Sequence, residues 1–316
     1  MLKICDGQVS PEDIDIPAFL SQCQSQYCSW NGHTGDGIFS VSPLWGLPWI
    51  HAILGLPVYL NKDSIWSGHS RVSWNEIFAS CELKSNAWLD KLLELSTLMV
   101  REIGIEYPIS TLITPGVPVI LSEMRGLMDF VYDLIDTPDM VEKAFNAVTD
   151  AYLKILDLYF NIVPAWQGGY GSETRFVWAP GRLIEYDEDS NYLFSPELHQ
   201  RFILPSHRLV AKEIEYAYCH LHSTQLHTLD NLLADDQIAH YELCPDEGYD
   251  IEKIIQVLKK IQKKHCVITH AFFSVEDVNA IIESVPPEGL YIAIRVNSIE
   301  DADTMKEEIM GKRGWC

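Results

Sequence analysis

The residues best suited to chemistry are two histidines in the stretch YAYCHLHS at positions 216–223. Side chains alternate between the two faces of a β-strand, so Tyr216, Tyr218, His220 and His222 share one face. A helical apolar pattern follows, which places both histidines near the carboxyl end of the strand. A His-x-His pair on a strand can aim both rings at one divalent metal ion such as zinc. The same spacing also suits two half-buried histidines that are satisfied by their neighbours.

Further ionisable residues lie near the ends of the next strand candidates. On the strand predicted at 239–244, alternation puts Glu242 and Cys244 on one face. Carboxyl ends of parallel strands meet at one edge, so both are predicted to line the same mouth as the histidine pair. Glu242, Cys244 or His270 would complete the metal site, with Cys244 the candidate third ligand, although a free cysteine is often simply buried. If Glu242 faces the mouth, Glu242→Gln is expected to impair function and to leave stability nearly unchanged.

Three more candidates follow from the last two strands. His270 ends the strand predicted at 266–271 and is a candidate catalytic residue. Arg295 and Asn297 end the last strand and are candidate substrate-binding residues, with Arg295 suited to anchoring a carboxylate.

These residues need a parallel sheet to bring them together, and the second half of the chain predicts one. Strand candidates recur roughly every 22–25 residues, with amphipathic helical patterns between them. They lie at 216–222, 239–244, 266–271 and 290–295. The predicted fold is α/β, a (β/α)8 TIM barrel with N-terminal helical additions. We expect one domain over residues 1–316, with residues 1–60 as an extension or cap, and an open doubly wound sheet is the alternative.

The first half of the chain supplies helices and few regular strands. An amphipathic helix is predicted from Asn86 to Ile103, and another from the N-cap Thr137 to about Ile162. Ser195 is predicted to open a further helix. The glycine-rich stretch at 166–171 lacks the spacing of a phosphate cradle and is predicted to be a loop.

Composition excludes several partners. The chain has 316 residues with 45 acidic and 23 basic side chains, a formal charge of −22 that argues against nucleic acid and an anionic membrane surface. No apolar run reaches the ~18 residues of a membrane span. The start of the sequence lacks a signal-peptide pattern, and the eight cysteines form no C-x-x-C pair. A cytoplasmic protein with a small-molecule substrate is therefore expected, and a homodimer is left open.

Several short motifs, in this order, resemble segments of the uroporphyrinogen decarboxylase superfamily. They are TPGVP at 114–118, MRG at 124–126, DLIDTPD at 133–139, WAPGR at 178–182, ED at 188–189, LFSPE at 193–197, FILP at 202–205 and CHLH at 219–222. The resemblance spans roughly residues 45–310 and implies a TIM barrel. It also implies that Asp189 corresponds to a recurring aspartate, a candidate catalytic residue that orients the substrate, although an aspartate at this position also suits a helix cap. Arg182, at the end of the WAPGR motif, is a candidate for holding an anionic group of the substrate, and a surface ion pair fits it equally well.

Two branches of that superfamily differ in chemistry. True uroporphyrinogen decarboxylases carry an R-Q-A-G-R signature near the N-terminus, which is absent here, and residues 1–60 contain no arginine. The sequence is more similar to the methylcobamide:thiol methyltransferases, which bind zinc through His-x-Cys on this strand and a later cysteine. His220 matches that pattern, whereas His222 stands at the cysteine position and the last strand has no cysteine. Cys316, at the end of the sequence, is expected to be a frayed tail.

The resemblance implies a methyltransferase that moves a methyl group between a corrinoid (methylcobamide) protein and a small acceptor, assisted by zinc. On this hypothesis His220, His222 and Cys244 hold the metal, and the partner is a corrinoid-binding protein. Two alternatives are left open. One is a decarboxylase or lyase acting on a small carboxylic acid, with His220 or His270 as proton donor. The other is a non-catalytic relative that binds a corrinoid or another metabolite.

Overall fold

A computed structural model describes residues 1–30, 36–104 and 106–311 of the protein. Cys316, expected to be a frayed tail, lies outside the described residues. The strands are β1 Gly7–Val9, β2 Val58–Leu60, β3 Ile65–Ser67, β4 Ile113–Thr114, β5 Tyr170–Ser172, β6 Val177–Ala179, β7 Leu183–Asp187, β8 Tyr216–His222, β9 His240–Cys244, β10 Cys266–Ala271 and β11 Leu290–Ile294.

Helices precede the central sheet and alternate with its later strands. They are α1 Ile16–Trp30, α2 Trp49–Ile53, α3 Trp74–Ser80, α4 Ala87–Glu102, α5 Val117–Arg125, α6 Leu127–Asp136, α7 Pro138–Ile162, α8 Pro196–Leu198, α9 Leu204–Glu213, α10 Leu229–Leu233, α11 Ile251–Gln262, α12 Val275–Ser284 and α13 Ile299–Gly311. A π-helical turn, His199–Ile203, joins α8 to α9. Among the described helices, none has the length and hydrophobicity that a membrane span requires.

The central sheet has six strands in the order β11-β10-β9-β8-β7-β4, and every neighbouring pair is parallel. Single parallel bridges continue it beyond β4, from Ser110 to Gly171 and from Ile109 to Val41. The predicted α/β class with helical additions on the N-terminal side is confirmed. A parallel sheet of consecutive βα units brings the carboxyl ends of its strands to one edge, where barrels of this class carry their sites.

Local sequence explains the helices that cover the sheet. In α11 the buried residues Ile254, Ile255, Leu258 and Ile261 recur at helical spacing and form one face. Burial of each such side chain contributes about 1.5–3 kcal/mol. Ser274 opens α12 with a capping box in which the Ser274 amide donates to the Asp277 carboxylate at 3.1 Å.

A hairpin of β5 and β6 is inserted before β7, and its first strand begins at the end of the stretch 166–171 that was predicted as a loop. Its turn, residues 173–176, carries Arg175. The amino end of the barrel beside this hairpin is filled by Ala179, Leu183 and Tyr218, which pack on one another. The interior is therefore apolar at its amino end, and its polar side chains lie above that layer.

Candidate metal centre

Two histidine rings at the end of β8 face each other at the barrel mouth. The Nε2 atoms of His220 and His222 lie 3.3 Å apart, and the ring planes are perpendicular with centroids 4.9 Å apart. Strand alternation places both rings on one face, as the sequence predicts. His220 is buried, whereas the side chain of His222 keeps 29% of its surface exposed.

A carboxylate holds the other nitrogen of each ring. Nδ1 of His220 is 3.0 Å from Oε2 of Glu242, and Nδ1 of His222 is 2.7 Å from Oδ1 of Asp246. Because an ionised carboxylate only accepts hydrogen bonds, both Nδ1 atoms carry the proton and donate it. Each Nε2 is then free to present a lone pair to the space between the rings. This is the arrangement in which carboxylates orient metal-binding histidines.

Cys244 completes a cluster of three potential ligands. It pairs with His222 across β8 and β9, and the ligand atoms of His220, His222 and Cys244 all lie within 4.8 Å of one another. We call these three residues the mouth cluster. Burial raises the pKa of the Cys244 thiol to about 11, so without a metal ion it is protonated at neutral pH.

The mouth cluster fits a zinc ion. Two nitrogens bound at 2.0–2.1 Å in a tetrahedral site are about 3.3 Å apart, which matches the separation of the two Nε2 atoms. Two imidazole lone pairs repel at that distance unless a metal ion or a proton lies between them. Although burial favours neutral His220, the hydrogen bond to Glu242 raises its pKa to about 9, so a proton competes with a metal for this position.

Beneath the mouth cluster lies a buried network of charges. Glu242 is fully buried and accepts a short hydrogen bond from Nε of Arg175, while His270 Nδ1 lies 3.5 Å from its Oε1. Nη2 of Arg175 also lies 3.7 Å from Oε2 of Glu185. The same oxygen accepts a hydrogen bond from the Tyr218 hydroxyl at 2.8 Å. Burial alone would raise the pKa of Glu242, but its hydrogen bonds from His220 and His270 and the charge of Arg175 lower it well below the usual range.

These contacts change the interpretation of Glu242. Its oxygens are occupied by His220 and Arg175, so it positions the His220 ring and does not face the mouth. We therefore expect Glu242→Gln to lower stability as well, which differs from the expectation drawn from the sequence. Removing one partner of a buried ion pair is strongly destabilising, because it leaves an uncompensated charge.

Acidic residues surround the outer side of the mouth cluster. Asp189 Oδ1 is 3.5 Å from Nε2 of His222, and its amide donates to Asp187 Oδ1 at 3.3 Å. Burial and the neighbouring charge of Asp189 raise the pKa of Asp187 to about 8. The pKa of Asp246 shifts in the opposite direction. Burial would raise its pKa, but hydrogen bonds from Thr224, His222 and Ser223 lower it to about 2. A firmly ionised Asp246 is therefore available to hold His222.

A cavity of about 1340 Å³ adjoins the site between the last strand and residues 36–45. Its lining is mainly apolar, with charged side chains of both signs. The aromatic residues are Trp30, Phe39, Trp45, Phe176, Phe272 and Tyr291, the basic ones are Arg175, His270, Arg295 and Lys306, and the acidic ones are Asp36 and Glu173. The guanidinium of Arg295 lies 5.9 Å from the centre of the Phe272 ring. Burial lowers the pKa of His270, which favours its neutral form beside this cavity. The cavity gives a ligand access to His270 and Arg175.

The structure brings most of the predicted site residues together. His220, His222, Cys244, Glu242, His270 and Asp189 form one contiguous group, and Arg295 lines the adjoining cavity. Asn297 is exposed beyond the end of β11. Arg182 stands apart, because it precedes β7 at the amino end of the sheet and pairs with Asp157 at 3.1 Å. Its position does not support the predicted contact with a substrate at the mouth.

The similarity of this chain to known proteins lies in its fold. No family model matches the chain, and no curated protein sequence matches it. A solved structure, a methyltransferase from Methanosarcina mazei, is similar over 86% of this chain and 80% of its own, with a TM-score of 0.58 and 14% identity. The chain therefore shares the overall fold of that structure. This likeness agrees with the predicted TIM-barrel type, and at this identity it describes the fold alone.

Two residues of the site were missed by sequence reasoning. Asp246 lies two positions after Cys244, so the alternation that placed Glu242 and Cys244 on one face also pointed to it. Arg175 lies in the turn of a hairpin, where no periodic pattern predicts the direction of a side chain. Only the folded hairpin brings it to Glu242.

Proposed function

We propose that this protein is a zinc-dependent methyltransferase that moves a methyl group between a corrinoid carrier protein and a small acceptor. The observation that carries the proposal is the pair of Nε2 atoms at 3.3 Å, with each opposite nitrogen held by a carboxylate. Cys244 supplies the third ligand. The methyltransferase-like fold and the resemblance of the sequence motifs to the corrinoid-dependent branch of the uroporphyrinogen decarboxylase superfamily support the direction of the assignment.

Each residue of the site has a proposed role that follows from its position. His220, His222 and Cys244 would hold the ion, and Glu242 and Asp246 fix the two rings. A zinc ion held there would supply Lewis acidity, which favours the thiolate form of a thiol acceptor. Asp189 borders the outer side of His222, where an acceptor would arrive from solvent. The neighbouring cavity, with Arg295 and His270 on its wall, is wide enough to take the acceptor.

The test combines metal content with methyl transfer. Protein purified without chelator and loaded with zinc is assayed for metal by elemental analysis, and for demethylation of methylcobalamin with a simple thiol as acceptor. The double variant His220→Ala, His222→Ala is expected to lose one zinc per chain and more than about 100-fold in rate while keeping its circular dichroism spectrum. Its fold should persist because the apolar layer of the barrel lies below the site.

A matched control changes the same residue types elsewhere. His240→Gln with Cys266→Ser alters a histidine and a cysteine at the amino ends of β9 and β10. It should keep wild-type metal content and rate. The proposal fails if the control and the double variant behave alike, or if wild-type protein loaded with zinc shows no transfer from methylcobalamin.

A carboxy-lyase is the second candidate, because His270 and Arg295 line one cavity as a proton donor and a carboxylate anchor would. The lowered pKa of His270 argues against it, since a neutral imidazole is a weak proton donor. In a lyase, Arg295→Ala and His270→Gln would abolish carbon dioxide release from the substrate, and chelation of zinc would leave that reaction intact. Loss of methyl transfer on chelation favours the first candidate.

A further inference from the structure

A second group of ligand-type side chains lies behind β8, on the face opposite the mouth cluster. Atoms of Glu188, His207 and Cys219 that could bind a metal all lie within 4.8 Å of one another. All three side chains are buried, with at most 3% of their surface exposed. Glu188 follows β7, Cys219 belongs to β8 and His207 belongs to α9. We call these three residues the rear cluster.

The hydrogen bonds of the rear cluster are incomplete. Nδ1 of His207 lies 3.1 Å from Oε1 of Glu188, yet neither atom makes a hydrogen bond of acceptable angle. Nε2 of His207 also lacks a partner among the described residues. Buried polar atoms without partners are rare in proteins. Two ligands of one metal ion show this geometry, because their lone pairs point at the ion and not at each other.

The other oxygen of Glu188 is held from outside the cluster. Nε2 of His199 lies 3.1 Å from Oε2 of Glu188, and the Asn231 amide lies 3.5 Å from Nδ1 of His199. The amide can donate to Nδ1, so Nε2 of His199 carries the proton that it donates to Glu188. His199 therefore orients the carboxylate and leaves Oε1 directed toward His207 and Cys219. Outer residues orient the ligands of metal sites in this way.

We propose that Glu188, His207 and Cys219 bind a second divalent metal ion, most favourably zinc, and that this ion joins α9 to β7 and β8. Carboxylate, imidazole and thiolate are the ligand types that zinc takes in proteins. One carboxylate and one thiolate would neutralise the double charge of the ion, as a fully buried site requires. This inference does not rest on the proposed function.

Protonation supports the same assignment. Burial lowers the pKa of His207 to about 4, so its ring is neutral and has a lone pair for a metal ion. The amide of Glu188 donates to the carbonyl of His220 at 3.2 Å, so the two clusters are joined by one hydrogen bond of the backbone.

The test uses the full chain and counts metal ions. Wild-type protein loaded with zinc should contain two ions per chain, and His220→Ala, His222→Ala should contain one. His207→Gln should also contain one, and the triple variant should contain none. In the variant that lacks the mouth histidines, replacement of zinc by cobalt(II) should give the thiolate charge-transfer absorption of a single cysteine ligand. Zinc should raise its melting temperature by several degrees, because the ion binds the folded chain alone.

The possible results distinguish the rear site from the mouth site. If the variant without mouth histidines holds no zinc and shows no cobalt–thiolate absorption, the rear site does not exist, whereas the mouth site and its activity are unaffected by that outcome. If this variant keeps one zinc and wild type also holds only one, the rear site stands and the mouth site fails. Cys23→Ser, which changes a buried cysteine of α1, is the control and should keep both ions. The measurement needs no rear-cluster variant to fold, since the decisive protein has an intact rear cluster.

Discussion

The mouth cluster and the rear cluster share one strand but differ in access. β8 directs His220 and His222 to the barrel mouth and Cys219 to the helical layer behind it. At the mouth, His222 and Cys244 are part-exposed, and His270, next to Cys244, lines a large cavity. At the rear, every member is sealed. Alternation along one strand thus places a cluster that is open to solvent and to the cavity back to back with a cluster that is sealed from solvent.

The two regions also differ in how their buried carboxylates are compensated. Glu242 at the mouth faces the permanent charge of Arg175, whereas Glu188 at the rear faces two histidines. A permanent charge makes the mouth network costly to break. Because burial lowers the pKa of His207 to about 4 and keeps its ring neutral, this ring gives Glu188 no permanent counter-charge, and the stability of the rear network depends on pH.

The largest expected effect concerns the buried carboxylates of the two clusters, Glu242 and Glu188. Glu242→Gln should lower the free energy of unfolding by about 3–5 kcal/mol, because it removes one partner of a buried ion pair. Glu188→Gln should cost about 1–3 kcal/mol, the penalty for a lost hydrogen bond between buried groups. Urea unfolding at pH 7 with chelator measures both. Equal losses would contradict the assignment of Arg175 as the residue that distinguishes the two regions.

The second effect concerns pH in chelator-treated protein, and its sign differs between the clusters. The folded pKa of His207 is about 4, below the ordinary 6.5, so its stability is present above pH 6.5 and is lost as the pH falls toward 4. The folded pKa of His220 is raised to about 9, so its stability is present below pH 6.5 and is lost as the pH rises through 9. Each group contributes up to about 1.4 kcal/mol per pH unit in its window.

Unfolding curves from pH 4 to 9 test these signs. His207→Gln should flatten the acid limb and leave the alkaline limb unchanged, and His220→Gln should do the reverse. His227→Gln is a matched control, since this histidine contacts the carbonyl of Phe194 outside both clusters. A variant that flattens both limbs would show that the two clusters titrate as one unit.

The third effect concerns Asp246, the carboxylate that orients the His222 ring. Asp246→Asn should weaken zinc binding at the mouth by about 10–100-fold, because it removes the carboxylate that fixes the His222 ring. The rear site should keep its affinity. Competition with a chromogenic chelator measures both constants in one titration. Asp236→Asn, at an exposed ion pair with Lys264, is the control and should change neither constant.

Sequence patterns predicted the later strands closely, and physical reasons explain why. Helical and strand periodicity is strong where strands are buried, so β8 matches its prediction of 216–222 and β10 its prediction of 266–271. β4 is harder to predict, because only Ile113–Thr114 forms a regular ladder and residues 109 and 110 make single bridges. Such short pairings leave little periodic signal.

The site was predictable where strand direction fixes a side chain, and not elsewhere. His220, His222 and Cys244 follow from alternation on two neighbouring strands. Arg175 reaches Glu242 across 67 positions of sequence from a hairpin turn, and no local pattern encodes that approach. The rear cluster was missed for a related reason, because its third member, His207, comes from a helix that packs on the outside of the sheet.

The smallest expected effect concerns Arg182, which was predicted to bind substrate and lies at the other end of the sheet. Its guanidinium pairs with part-exposed Asp157 and lies 5.1 Å from the centre of the Phe160 ring. Arg182→Ala should cost less than about 1 kcal/mol of stability, as exposed ion pairs do, and should leave metal content and methyl transfer at wild-type values. Arg295→Ala is the matched comparison at the cavity wall and should raise the KM for an anionic acceptor. If Arg182→Ala raised that KM instead, the substrate would bind at the amino end of the barrel, and the mouth cluster could not be the site of reaction.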